Sequence, residues 1–244
     1  MDTVPFLFAD SVAHLLPKNL IPPLADLSSH WAFVGETHVE RRIDCCLEVR
    51  DHSGIVKCSV YDCKPPYHRI PLSEYLKTGN LYSRIAHLDV TTATTQLAQG
   101  EDELETVCHF LKRRINLALE SVYFSLDLDC LEKILEILLF PFQEIHTIGS
   151  IAKHENFFRW HLENNKKLEK IVVYNWDHAY ELTKLWSMCE NAGNLHIERD
   201  TFWSYKLESD RLGLCDVDDK LKRDLVVLDN SVDGTVVLHF IVWE

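Results

Sequence analysis

The two histidines at positions 154 and 161 come nearest to a metal-binding pattern in this sequence. His154-Glu155 opens like the helix of a zinc protease, but the second histidine should follow four residues after the first, where the chain has Phe158. Seven residues of helix place His154 and His161 about 10 Å apart, whereas two nitrogens on one zinc ion each lie about 2 Å from it. We therefore predict no metal site here and expect both histidines to face solvent.

Two other groups of ligand-type residues lack part of the set that a metal ion needs. Cys58 and Cys63, with His68 nearby, offer three ligands, but a fourth is not evident. The acidic run 216–220 begins like a calcium loop, yet Lys220 stands where an oxygen ligand is needed and the glycine of such loops is missing. We interpret the cysteines as part of a hairpin core and the acidic run as a loop, so no metal ligand is predicted.

The motifs that commonly identify an active site do not occur in the sequence. It has no Gly-Lys pair of a phosphate-binding loop, no G-x-G-x-x-G and no G-x-S-x-G. We therefore predict no catalytic residue and no cofactor, and interpret the protein as a binding module rather than an enzyme. An enzyme whose site is assembled from distant residues is the alternative, since a Ser-His-Asp triad is defined by its arrangement in space. A structural paralogue without a partner is the third hypothesis.

Charge and composition narrow the choice of partners. The 244 residues carry 25 Lys and Arg against 38 Asp and Glu, a net charge of −13. Because nucleic-acid binding depends on clustered basic side chains, no nucleic-acid partner is predicted. No segment approaches the roughly 20 apolar residues of a membrane span, so no membrane partner is predicted either. Several of the eight cysteines fall in apolar patterns typical of buried free thiols, which favours a reduced, cytoplasmic or nuclear protein.

The first 35 residues differ from the rest and predict two short helices. The apolar positions of the first helix are Val12, Leu15 and Leu16. Pro17 ends this helix, and the proline pair 22–23 blocks its continuation. A second short helix is predicted over residues 24–33.

Residues 43–62 predict a β-hairpin. Alternating apolar positions on both sides of a turn at Asp51 to Gly54 support this interpretation. A connection with three prolines, residues 64–80, is predicted to be irregular. A strand is then predicted over residues 84–90.

From residue 102 onward, helix and strand patterns alternate. Helices are predicted after Asp102, Asp129 and Asp177, and another over residues 155–162. The predicted strand centres are spaced by about 23 to 26 residues; they are Val122, Ile145, Ile171 and Leu195. The fold class is therefore α/β, as an irregular leucine-rich-repeat-like solenoid or an ordinary parallel sheet with right-handed crossovers.

The C-terminal residues predict a second hairpin and a candidate binding rim. Strands over residues 225–229 and 235–243 would cover the open edge of the last repeat. Trp176, Trp203 and Tyr205 follow predicted strands, which would place them at one rim of the sheet. Tryptophan and tyrosine are common interface anchors, so these three are candidate protein-binding residues. The alternative is that they pack in the core or beneath the hairpin.

Three parts of the sequence carry a family resemblance: residues 1–12; Trp31, His38 and Arg41-Arg42 with the strand 43–49; and residues 235–243. They resemble the nematode-expanded F-box-like and F-box-associated proteins. That resemblance implies two domains, a helical F-box-like segment over residues 1–35 and an α/β repeat-like domain over residues 36–244.

The resemblance also implies a function. An F-box helix pair binds the adaptor subunit of a cullin-type ubiquitin ligase, and the C-terminal domain holds a target protein. Leu16-Pro17 is similar to the Leu-Pro opening of an F-box. The candidate adaptor-binding residues are Val12, Leu15, Leu16 and Pro17. The protein is thus expected to be a substrate-recruiting subunit with an unidentified target.

Overall fold

The chain forms two compact units, residues 1–122 and 123–244. The computed structural model describes residues 5–16, 20–27, 30–52, 54–65, 67–78, 81–92, 102–113, 117–125, 128, 130–173, 176–189, 196–199, 225–228 and 236–240. Both units combine helices and strands, which confirms the α/β class. Within these described residues, every helix is too short or too polar to cross a bilayer.

The first unit begins with three helices and continues with strands. Its elements are α1 (Phe6–Leu15), α2 (Pro22–Ala25), α3 (His30–Arg41), β1 (Ile43–His52), β2 (Ile55–Asp62), β3 (Arg69–Pro71), α4 (Leu72–Thr78), β4 (Ser83–Thr92), α5 (Leu104–Arg113) and β5 (Leu117–Ser125), whose last residues belong to the second unit. The boundary predicted after residue 35 falls inside α3.

The second unit continues the alternation of helix and strand. Its elements are α6 (Leu131–Ile137), β6 (Glu144–Ile148), a 3₁₀ turn (Ala152–His154), α7 (Glu155–Asn164), β7 (Lys170–Val173), α8 (Trp176–Met188), β8 (His196–Arg199), β9 (Leu225–Leu228) and β10 (Val236–Phe240).

The strands of the first unit lie in the order β3-β2-β1-β4-β5. β1 and β2 form the predicted antiparallel hairpin, and β1 pairs with β4 in parallel. At the hairpin turn, the Asp51 carboxylate accepts a hydrogen bond from the Gly54 amide at 2.9 Å, and Gly54 has a φ of +85°, which glycine adopts without strain.

The connection predicted to be irregular is partly ordered, so that prediction was wrong. β3 and α4 lie within residues 64–80. Leu72 and Tyr75, one turn apart on α4, are buried. Pro71 ends the short strand directly before the helix, and the buried apolar pair outweighs the loop signal of the prolines.

The strands of the second unit confirm the predicted alternation and the terminal hairpin. β6, β7 and β8 are parallel neighbours. β9 and β10 are antiparallel, and β10 also pairs with β8, so the hairpin covers that strand edge as predicted. Parallel strands joined by helices fit both predicted architectures, and the leucine-rich-repeat-like solenoid stays a prediction.

The four helices predicted after residue 102 bury the apolar faces that their periodicity indicates. Periodicity placed apolar residues three and four positions apart on each helix. The buried residues at those positions are Val107, Cys108 and Leu111 on α5; Leu131, Ile134 and Leu135 on α6; Phe158 and Leu162 on α7; and Ala179, Leu182 and Trp186 on α8.

The N-terminal helices pack around a small apolar cluster. Ala9 and Ala13 of α1 are fully buried against Ile21 and Val34. The predicted second helix is in fact two, α2 and α3, and the proline pair begins α2 instead of blocking a helix. Proline suits the first turn of a helix, because its missing N–H would have no partner there.

A single glycine permits the close approach of α2 to α3. A Cβ on Gly35 would lie 2.4 Å from the Ala25 nitrogen, a backbone atom that cannot rotate away. We expect Gly35→Ala to lower the free energy of unfolding by about 1–3 kcal/mol through overpacking. Chemical denaturation would measure the loss. Glu36→Ala, an exposed change on the same helix, is the control and should stay within about 0.5 kcal/mol of wild type. An equally stable Gly35→Ala variant would contradict the packing.

Candidate functional site

The four predicted adaptor-binding residues have different environments. Leu15, on α1, is 61% exposed. Val12 is half-buried, and Leu16 packs partly against the cluster of α1 and α3. Pro17 lies outside the described residues. Among these predicted residues, Leu15 therefore offers the most surface to a partner.

Large exposed apolar side chains are concentrated on the N-terminal helices. In the described part of the chain 15 large hydrophobic residues are exposed, and eight of them lie within residues 6–39. This N-terminal apolar set comprises Phe6, Leu7, Phe8, Leu15, Leu20, Leu27, Phe33 and Val39. The rings of Phe6 and Phe33, 5.9 Å apart, connect α1 with α3. Exposed large apolar side chains on packed helices favour a protein-binding surface.

The sequence contains a signal for this surface that the spacing of large apolar residues does not reveal. α1 packs inward through two alanines, Ala9 and Ala13, which are one turn apart. Leu7 and Phe8 then lie on the outer side, although they are larger and more apolar. A helix that buries alanine and exposes leucine and phenylalanine reverses the usual amphipathic order. The reversal becomes recognisable once the limits of the helix are known.

Two buried arginines hold the C-terminal end of α1. Arg84 Nη1 donates to the Leu16 carbonyl at 3.0 Å, and Arg42 Nη1 donates to the Ala13 carbonyl at 3.5 Å. Both guanidinium groups also bind Asp44 Oδ1, Arg84 at 2.6 Å and Arg42 at 3.0 Å. Arg84 forms a further ion pair with Glu120. Cationic donors at a helix C-terminus satisfy its last carbonyls and interact favourably with the helix dipole. The helix is thereby fixed to β1, β4 and β5.

Three metal-ligand side chains converge between α1 and α3. Asp10 and His14 are one turn apart on α1, and His38 comes from α3. His38 Nε2 donates to Asp10 Oδ1 at 2.9 Å, while His14 Nε2 lies 3.8 Å from Asp10 Oδ2. One ligand atom from each side chain falls within 4.8 Å of those of the other two. This arrangement could hold a cation, although the sequence predicted no metal ligand.

Aromatic packing and burial shape the same cluster. The His14 and His38 rings pack edge to face with their centroids 4.5 Å apart. The centroid of the Tyr82 ring lies 6.2 Å from that of His14 and 5.4 Å from that of His38. Burial, and then the neighbouring His38, lowers the pKa of His14; Arg42 acts in the same direction, and Asp10 opposes them. His14 is therefore uncharged at neutral pH.

The chain matches no protein-family model, no curated protein and no solved structure. Its function therefore has to be inferred from its own geometry.

A row of polar side chains crosses one face of the first unit's sheet. Glu48 of β1 is buried and accepts hydrogen bonds from Arg50 at 2.8 Å, Arg69 at 3.1 Å and Ser59 at 3.0 Å. Asp89 of β4 lies directly opposite Glu48 in the parallel register. Burial, and then the Glu48 charge, raises the pKa of Asp89 to about 6. This polar sheet face combines carboxylates with arginines that can contact a polar partner.

His161 has a different environment from the one predicted. It is fully buried, so the expectation of a solvent-facing histidine was wrong. Phe142 and Phe157 surround its ring at centroid distances of 4.6 and 4.4 Å. Asn165 donates to His161 Nδ1 at 3.0 Å. Burial lowers the pKa of His161 to about 3, against a smaller opposing contribution from the Leu138 backbone. The residue is an uncharged component of the core.

The three predicted target-binding aromatic residues lie largely outside the described structure. α8 begins at Trp176, whose side chain is outside the described part of that helix. Trp203 and Tyr205 fall outside the described residues. Their placement at one rim of the sheet stays a prediction.

The described cysteines are not joined in disulfide bonds, and burial lowers the reactivity of three of them. They are Cys45, Cys46, Cys58, Cys63, Cys108, Cys130 and Cys189, and all but Cys63 are buried. Burial, more than any neighbouring charge, raises the pKa of Cys45 and Cys46 to about 12 and that of Cys63 to about 11. Thiols held protonated in this way are poor nucleophiles. Cys58 and Cys63 lie in or beside the hairpin, as predicted.

Proposed function

We propose that this protein is a non-enzymatic interaction module that binds another protein through the N-terminal apolar set. The observation that carries the proposal is the exposure of leucine and phenylalanine on α1 and α3 in place of polar residues. Leu7 is 76% exposed and Leu15 is 61% exposed, although the same helix buries only alanines. Burying a leucine side chain contributes roughly 1.5–3 kcal/mol, so a few of these residues suffice to drive association.

The helices that carry this surface are held in place before any partner arrives. Arg84 and Arg42 bind the last carbonyls of α1, and Gly35 allows α3 to contact α2 closely. A preordered surface loses less conformational entropy when it binds, which favours affinity.

The partner that we propose is the adaptor subunit of a cullin-type ubiquitin ligase. The support is the resemblance of residues 1–12 and of Leu16-Pro17 to F-box-like proteins, together with three short helices, α1 to α3, within the first 41 residues. The protein would then recruit a target to the ligase. The polar sheet face and the region of Trp176, Trp203 and Tyr205 are the surfaces that we propose for the target.

Binding of the purified adaptor to the full chain tests this proposal. We expect Leu7→Glu and Leu15→Glu each to weaken adaptor binding at least tenfold, because a carboxylate in an apolar contact loses its hydration without a partner. Biolayer interferometry would measure the dissociation constants. Circular dichroism would show that both variants keep the wild-type fold, since both positions are exposed.

Leu76→Glu is the matched control. Leu76 is an exposed leucine on a helix of the same unit, 52% accessible, but it belongs to α4 and lies outside the N-terminal apolar set. The control should bind the adaptor with wild-type affinity. Absence of adaptor binding by the wild-type chain, or equal affinity of Leu15→Glu and wild type, would overturn the adaptor assignment.

A further inference from the structure

We propose that Asp10, His14 and His38 form a binding site for one divalent transition-metal ion, with zinc as the best fit, that links α1 to α3. This site is separate from the proposed adaptor contact, since its three side chains are not members of the N-terminal apolar set. Three features of the cluster support the site: its donor set, the distances between its donor atoms and its incomplete hydrogen bonding.

The donor set selects the class of ion. Two imidazole nitrogens and one carboxylate suit zinc and its transition-metal neighbours, whereas magnesium and calcium are bound almost entirely by oxygen. Asp10 supplies one negative charge to balance the cation. The positive charge of Arg42 would repel a cation, but its guanidinium is bound to the Asp44 carboxylate at 3.0 Å.

The distances match a coordination shell that needs only small adjustments. Ligand atoms about 2.0–2.1 Å from a tetrahedral zinc lie about 3.3 Å from one another. His38 Nε2 lies 2.9 Å from Asp10 Oδ1, and His14 Nε2 lies 3.8 Å from the other carboxylate oxygen, Oδ2; the two separations lie on either side of this value. A small rotation of the half-buried His14 ring would bring its nitrogen into range.

Hydrogen bonding alone leaves the cluster incompletely satisfied. At 3.8 Å, His14 is too far from Asp10 for a hydrogen bond. The fully buried His38 makes its hydrogen bond to Asp10 through Nε2, the nitrogen that would bind the ion. A metal ion would bind the nitrogens that now converge on one carboxylate.

Tyr82 determines which side of the site is open. Its ring packs against both histidines and shields them on one side. Three protein ligands leave a fourth position for water or for a ligand atom from a partner, as in exchangeable zinc sites. Because the ligands come from two helices, the ion would restrain α1 relative to α3.

Metal titration of the full chain, after treatment with a chelator, tests the proposal. We expect one equivalent of zinc to bind by isothermal titration calorimetry and to raise the melting temperature by several degrees. Magnesium and calcium should do neither. Cobalt(II), used as a spectroscopic substitute, should give the visible absorption of a tetrahedral site. In the wild-type chain, side-chain NMR of ¹⁵N-labelled histidine should show zinc-induced shifts of two rings.

Variants assign the binding to these residues. His14→Gln and Asp10→Asn should each weaken zinc binding at least tenfold, and near-ultraviolet circular dichroism should show that they keep the fold. His146→Gln is the matched control: His146 also pairs with a carboxylate, Glu144, and its side chain is 26% exposed against 23% for His14. It should bind zinc like wild type. Absence of zinc binding by the wild-type chain, or undiminished binding in both site variants, would overturn the proposal.

Discussion

Replacement of Arg84 by methionine should lower the free energy of unfolding by about 3 kcal/mol, the largest effect that we expect from a single substitution in this protein. The side chain is 1% exposed and binds Asp44, Glu120 and the Leu16 carbonyl. Removal of one member of a buried ion pair costs roughly 3–5 kcal/mol, because the remaining charge stays in a poorly solvated position. Asp44 and Glu120 retain some contact with water, at 17% and 26% exposure, which favours the lower end of that range.

Equilibrium denaturation followed by circular dichroism would measure this loss. Hydrogen exchange of the amides of α1 would add a local measurement, since the variant loses the donor to the carbonyl of Leu16. The control is Arg159→Met, which removes an arginine that pairs with Glu155 on the surface of α7. The control should have the denaturation midpoint of wild type. A similarly small effect of Arg84→Met would mean that Asp44 and Glu120 are fully solvated.

Acidification should destabilise the second unit through His161. The pKa of an unfolded histidine is about 6.5, and burial lowers the folded pKa to about 3. The unfolded chain therefore binds this proton first as the pH falls. The stabilising contribution is complete above pH 6.5 and is lost progressively toward pH 3. At pH 4.5 it should have decreased by about 2–3 kcal/mol.

Denaturation of the wild type and of His161→Gln between pH 7 and 4.5 would test this effect. The variant should lose less stability with acidification than the wild type, because its side chain binds no proton in this range. Phe158→Leu, which alters the same core without removing a titrating group, is the control and should keep the wild-type pH dependence. Parallel curves for wild type and His161→Gln would show that His161 does not cause the acid sensitivity. NMR titration of the His161 ring would give its folded pKa directly.

Local patterns were sufficient to place the repetitive part of the fold. The strand predicted with its centre at Ile145 runs from Glu144 to Ile148 in the structure, and the helix predicted from residue 155 begins there. The strand has an alternating pattern and the helix has helical periodicity, because one face of each is buried along its whole length. The two hairpins were also predictable, because turn residues separate two alternating runs in the first and two β-rich apolar runs in the second.

Prolines gave a misleading signal where burial or position outweighed their usual effect. The pair 22–23 begins α2, and Pro71 directly precedes α4, whereas both were interpreted as breaks in regular structure. Proline excludes a helix interior but favours a helix start. The distinction depends on which residues beyond the proline are buried.

The sequence by itself determined the α/β class, the order of most helices and strands, and the inward faces of α5 to α8. Only the tertiary structure decided that His161 is buried, that Arg84 holds the end of α1, and that Asp10 and His14 meet His38. The physical reason is range: periodicity and turn preference act between residues close in sequence, whereas Asp10 and His38 are 28 residues apart and Arg84 and Leu16 are 68 apart. The burial and charge of such groups depend on elements that meet only when the chain has folded.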